Sequence, residues 1–170
     1  LSKADISDDG TPFILYGELY TTYNEVVTNV KRRTQAQVDE LFLSREGDVV
    51  IPISGETAEE ISTASCVMLS DVILAGDLII YRSHKVDGRI ISYLLNHVVN
   101  TQIARIAQGK SVVHIQASEL RQLTLSYPDE KTQKTLIAFL SKLDDKVINE
   151  ENALAFLINL KVGLLQQLFI

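Results

Sequence analysis

The side chains in this sequence best suited to chemistry are cations, and they fall in three places. Lys31, Arg32 and Arg33 form a basic triplet in a polar stretch. Arg82, Lys85 and Arg89 follow a short apolar run, and Lys110 comes after Gly109, four residues before His114. Cations on loops suit phosphate contacts, and arginine there also reads base edges. A solvated surface accounts for any one cluster, but three together favour a local anionic partner. Four of the eleven aromatic residues, Phe13, Tyr16, Tyr20 and Tyr23, lie within eleven positions. In a strand Tyr16 and Tyr20 share a face, and core packing is the default for such residues. Tyr20 and Thr21 at the strand end equally suit a ligand-facing loop, as do Tyr16-Gly17 and Ser54-Gly55.

Catalytic patterns are missing. Ser54-Gly55-Glu56-Thr57 lacks the lysine and glycine spacing of a phosphate loop, and no G-x-G-x-x-G turn occurs. Pro128-Asp129-Glu130-Lys131 holds nuclease-like letters at the wrong spacing and reads as a helix start. His84, His97, His114 and Cys66 are 18, 13 and 17 positions apart in chain order, which is not ligand spacing, so no metal site is expected. His97 reads as structural, while His114 faces either core or ligand. No strand–turn–helix elbow marks a nucleophilic serine. The expectation is a non-catalytic chain with no cofactor of its own.

Composition sets the frame for these residues. The chain has 170 residues, 46% of them hydrophobic, which suffices for a core and excludes global disorder. Its net charge of -6 argues against holding nucleic acid by bulk charge. The charge is uneven, however. Residues 1–77 carry 5 basic and 14 acidic side chains, residues 78–128 carry 6 and 2, and residues 129–170 carry 5 and 6. A lone cysteine, no apolar run of membrane-spanning length and no signal-peptide pattern point to a cytoplasmic protein without a membrane partner. Leu1 in place of methionine leads us to expect a piece whose upstream part is missing.

The elements that must position the cations divide at residue 128. All three prolines and seven of the eight glycines lie in the first 128 residues. Strand-like runs are expected at 11–20, 48–53, 64–69, 77–81, 112–115 and 123–127, with helices at 34–42 and 88–107. In the second helix Ile91, Leu94, Leu95, Val98 and Val99 share one face. Strands and helices at irregular intervals predict an α+β mixed domain over 1–128 rather than a regular βαβ array. Over 129–170 the apolar residues Leu136, Leu140, Leu143, Val147, Leu154, Leu157, Leu164 and Leu168 keep a heptad seam, with Glu150 and Lys161 at two seam positions. This predicts one long helix about 60 Å in length at ~1.5 Å per residue. It either folds back on the domain or, as the seam length favours, pairs with another long helix as a coiled coil.

Several segments in this order resemble the specificity subunits of type I restriction–modification systems. Gly10-Thr-Pro-Phe-Ile-Leu-Tyr-Gly-Glu-Leu-Tyr-Thr-Thr-Tyr23 is similar to the opening strand and loop of one of their target-recognition domains. Arg45-Glu-Gly-Asp-Val-Val-Ile-Pro-Ile-Ser-Gly-Glu-Thr57 is similar to the strand and turn that follow. The stretch from Gly109 to Pro128 resembles the closing section, 133–146 the start of the spacer helix, and 160–169 its ending. Thr132-Gln133 departs from the family's usual Glu-Gln, which alters a helix-start contact, and the usual segment before Gly10 is missing or shortened.

The resemblance implies a target-recognition domain over 1–128 followed by a spacer and dimerisation helix over 129–170. The first reads one half of a split duplex DNA target. The second pairs with a like helix and docks modification subunits, which bring S-adenosylmethionine and methylate adenine; a restriction subunit with ATP and Mg joins indirectly. Full subunits carry two recognition domains, so this chain is either half of a tandem protein or a half-subunit that forms a homodimer. A coiled-coil assembly module whose head binds a protein is the rival reading, supported by the acidic first 77 residues.

Overall fold

A computed structural model of the chain describes residues 1–74, 76–106 and 113–169. These divide into two compact units, Leu1–Tyr127 and Pro128–Ile170.

In the first unit, strands β1 (Thr11–Ile14), β2 (Val26–Val27), β3 (Arg32–Thr34), β4 (Asp48–Pro52), β5 (Ser54–Gly55), β6 (Ser65–Val67), β7 (Ile73–Leu74), β8 (Leu78–Tyr81) and β9 (Val113–His114) form three small sheets. Their orders are β3-β1-β7, β2-β6-β4-β8 and β5-β9. The second is the spine. β4 pairs antiparallel with both β6 and β8, with Val50 opposite Ser65 on one side and Ile80 on the other. All five β4 residues are buried, as expected of a strand covered on both faces. Val49 and Ile51 point into a cluster with Ile61, Cys66, Ile91 and Leu95, whereas Val50 joins Ile14, Val27, Val67 and Leu74 on the opposite face. The helices of this unit are α1 (Glu18–Thr21), α2 (Ala58–Ile61), α3 (Gly88–His97), α4 (Asn100–Ile106) and α5 (Ala117–Leu120).

The strand cores at 48–53, 64–69 and 77–81 lie where the sequence places them, within a residue or two. Four other expectations need correction. The run 11–20 ends at Ile14, because the Glu18 carboxylate accepts from Leu15 N at 3.0 Å and turns the chain into α1. Tyr16 and Tyr20 therefore share no strand face. The helix expected at 34–42 is replaced by β3 and a single 3-10 turn at Glu40–Phe42. Pairing of Arg32 with Phe13 and of Thr34 with Thr11 takes that backbone into a sheet, and Asp39 caps the turn through Leu41 N. The helix at 88–107 is two helices, since Val98 N and Val99 N both reach Leu94 O, and Val98 is left exposed. Its remainder at 107 lies outside the described residues. Finally, 123–127 forms no strand: Leu123 and Leu125 alternate into the apolar cluster of β4 and α3 without a ladder partner. They line an apolar cavity of about 450 Å³ with Ile79, Leu94 and Leu120.

Cys66 sits in this core with its Sγ 3.6 Å from the Met68 sulfur, and burial, with Asp87 nearby, pushes its thiol up to about 12. Since the thiolate is the nucleophile, Cys66 is expected to resist iodoacetamide at pH 8 in the folded protein and to react in denaturant. Alkylation of the native chain at the rate of a free thiol contradicts this burial.

The second unit is α6 (Glu130–Leu168), 39 residues without a break. Asp129 caps it, accepting from Thr132 N and Thr132 Oγ1 at 3.0 Å, and these bonds hold its carboxyl below the usual range. Thr132 is thus a capping partner, and Gln133 Nε2 donates to Pro128 O at 2.9 Å. Pairs Glu130–Lys134 and Lys146–Glu150 at i,i+4 brace the exposed face. Along the seam Leu136, Leu143, Val147, Leu154, Leu157, Leu164 and Leu168 are 39–74% exposed, with Leu140 half-buried. The apolar seam expected from the sequence is thus exposed along the helix in the single chain. Among the described residues no helix is long and apolar enough to cross a membrane.

Candidate nucleic-acid interface

The structure distributes the predicted residues over three parts of the first unit. The basic triplet is not one patch. In β3, Arg32 and Arg33 project to opposite sides of the strand. Arg32 Nε is held at 2.7 Å by Glu18 Oε1, whose side chain is 6% exposed. Arg33 Nη1 donates to Gly10 O at 2.9 Å and stays exposed. Lys31 is exposed just before the strand, its backbone N donating to the Tyr23 hydroxyl at 3.1 Å.

A second group surrounds α2. Tyr16 is exposed beside α1, and Thr21 Oγ1 donates to Gly17 O at 2.8 Å across that short helix. Burial, then the charges of Glu60 and Glu56, raise the Tyr20 phenol above its ordinary pKa. Ser54 and Gly55 are buried, Ser54 donating to Asp77 Oδ2 at 2.8 Å, and Ser54 lies opposite the exposed His114 in the β5–β9 ladder. Here carboxylates predominate. They repel phosphate, but such groups accept hydrogen bonds from exocyclic amines of bases. Lys110 lies outside the described residues.

The third group has the most developed geometry. The turn 45–48, the turn 82–86 and the start of α3 enclose a polar cleft of about 500 Å³, lined by Arg45, Arg82, Ser83, His84 and Arg89 among others. Arg82 grips Asp48 with Nε and Nη2 at 2.7 and 2.6 Å, and Asp48 is 1% exposed. Arg89 grips Asp87 in the same way at 2.9 and 2.8 Å, holding that carboxyl below its ordinary range. Lys85 is exposed on the same turn, next to His84. Gly88 closes the frame, because a Cβ there meets Gly47 O at 2.1 Å and Cys66 Sγ at 2.9 Å. Gly88→Ala is expected to cost about 1–3 kcal/mol by overpacking, read as a lower urea midpoint; an unchanged midpoint contradicts the close approach.

Sequence reasoning missed Arg45, together with Asn24 and Asn100 in a smaller polar cleft of about 300 Å³ beside Tyr20 and Tyr23. Arg45 is one isolated cation in an acidic stretch, and the antiparallel pairing of β4 with β8 is what brings it next to 82–89. Among the described residues no cluster of three histidine, cysteine or acidic side chains is placed to hold a metal ion. His97 instead meets Glu25 at 2.6 Å and stacks on Tyr93.

The chain is thus a mixed α/β head with two polar clefts, followed by a long helix whose heptad seam is exposed in the single chain. Residues 1–157 match the family model for the type I restriction modification DNA specificity domain, and the chain belongs to that family. Solved structures agree on the fold. The chain is similar to the S subunit of a type I restriction-modification system from M. genitalium (TM-score 0.57, 16% identity, 88% of this chain and 36% of that one). It is also similar to a chain from a structure describing complex assembly and conformational transition of the type I R-M system (0.58, 15%, 90% and 36%). A third is the HsdS subunit from Thermoanaerobacter tengcongensis (0.54, 14%, 90% and 35%). The chain thus spans about a third of the length of each structure. No curated protein matches it.

Proposed function

We propose that this chain is the sequence-reading part of a type I restriction–modification assembly. Its first unit recognises one half of a two-part duplex DNA target, and α6 sets the spacing to a second reader. The observation that carries the reading is the family match over 1–157, which takes in the whole head and most of the helix. The chain is non-catalytic: methylation with S-adenosylmethionine and cleavage with ATP and Mg belong to partner subunits in the cytoplasm.

The helix supports the rest of the proposal. Its first half confines most large apolar side chains to the seam, whereas residues 153–169 carry them nearly all round, with Phe156, Ile158, Leu160, Val162 and Phe169 exposed beside the seam leucines. One partner helix covers one face. A second apolar face suits a modification subunit docked while the seam pairs with a second copy or a second recognition half. Selection from a random duplex pool by the chain co-purified with its modification subunit tests the reading. A two-part motif is expected, palindromic if two identical heads face it; enrichment of no sequence contradicts it.

A further inference from the structure

We infer that the cleft between the turns 45–48 and 82–86 seats a DNA backbone phosphate, with Arg45 in its lining and Lys85 on the adjoining turn as the contacting cations and Arg82 and Arg89 as positioning residues. The inference rests on the DNA-reading proposal and deepens it to a site. The three guanidinium groups of the lining and the Lys85 ammonium on the adjoining turn differ in what they already hold. Arg82 and Arg89 each spend two donors on one carboxylate, so most of their charge is neutralised within the protein. Arg45 and Lys85 are exposed and make no ion pair among the described residues.

Asp48 organises the cleft. The carboxylate that grips Arg82 also accepts from Arg45 N at 2.8 Å, so one buried group fixes the turn carrying Arg45 relative to the end of β8. On the other side Ser83 Oγ accepts from Lys85 N and Val86 N at 3.3 and 3.0 Å, shaping the turn that presents Lys85. Glu46 is the one carboxylate of the lining outside these two clamps. Arg45 in the lining offsets it, and the exposed Lys85 on the adjoining turn leaves one positive charge outside the clamps to meet an anion. Phosphate contacts of this kind fix position on a duplex without reading bases.

The test is fluorescence anisotropy of the full chain on labelled duplexes of several sequences across a salt series. Arg45→Gln and Lys85→Gln are made singly and together, with Lys142→Gln on α6 as the comparison. Each cleft variant is expected to weaken binding alike on every duplex and to flatten the slope of log K against log salt by about 0.9 for each phosphate no longer neutralised. Lys142→Gln keeps the wild-type slope, and thermal unfolding of the exposed cleft variants is unchanged. A double variant with the wild-type slope overturns the phosphate seat while the wild type's own slope preserves the DNA-reading proposal. Weakening confined to duplexes with particular bases overturns it in favour of base-edge contacts. Wild-type binding without salt dependence removes both.

Discussion

Where α6 pairs with a second copy, as proposed, replacing Leu154 and Leu157 together by lysine is expected to leave a monomer at micromolar concentration. Both leucines lie on the α6 seam and are 59% and 58% exposed in the single chain. Burying a leucine side chain contributes about 1.5–3 kcal/mol. Both copies of a dimer lose two of them, so pairing weakens by at least about 4 kcal/mol, roughly a thousandfold or more. A lysine charge placed in the apolar seam adds a desolvation cost. Sedimentation velocity reads the change directly. The variant is expected to keep its helical content and its head, because both leucines are exposed on α6 in the single chain. A monomeric wild type contradicts self-pairing, and an unchanged dimer in the variant places the interface elsewhere.

The second large effect concerns the frame of the cleft. Arg82→Ala leaves the Asp48 carboxylate, 1% exposed, with Arg45 N as its remaining bonded partner in the structure. Removing one member of a buried pair strands the other charge. The cost here is about 3 kcal/mol, at the low end for such pairs because the Arg82 side chain is itself 35% exposed. Urea denaturation of the variant is expected to show this loss at neutral pH. Arg82→Ala with Asp48→Asn removes the stranded charge and recovers part of it. A midpoint equal to wild type shows that Arg82 is a solvated cation rather than a clamp.

The sequence and the structure agree where a segment's pattern was decided by its own residues. The long period in 129–169 needs no tertiary information to become α6, and the β-branched run at 48–53 becomes β4 because it is buried on both faces. They part where distant pairing intervenes. Residues 34–42 have helical composition, yet β1 draws Arg32–Thr34 into a sheet. Leu123 and Leu125 alternate like a strand because alternate side chains enter the core, but no neighbour offers a ladder.

The candidate site follows the same rule. Adjacency along the chain made Lys31-Arg32-Arg33 look like one patch, and strand geometry splits it, with Glu18 holding Arg32. Arg82, Lys85 and Arg89 do stay together because one turn and one helix start hold them. Arg45 joins them across the β4–β8 pairing, a relation that spacing in the sequence does not display.

Whether this chain specifies which DNA is modified is read from its effect on methylation. The protein is co-expressed with the modification subunit proposed as its partner, and N6-methyladenine is mapped across a plasmid. Methylation is expected to be confined to a two-part motif and to disappear when this chain is deleted. Methylation at the same positions without the chain, or none from a folded and associated complex, contradicts a specificity role.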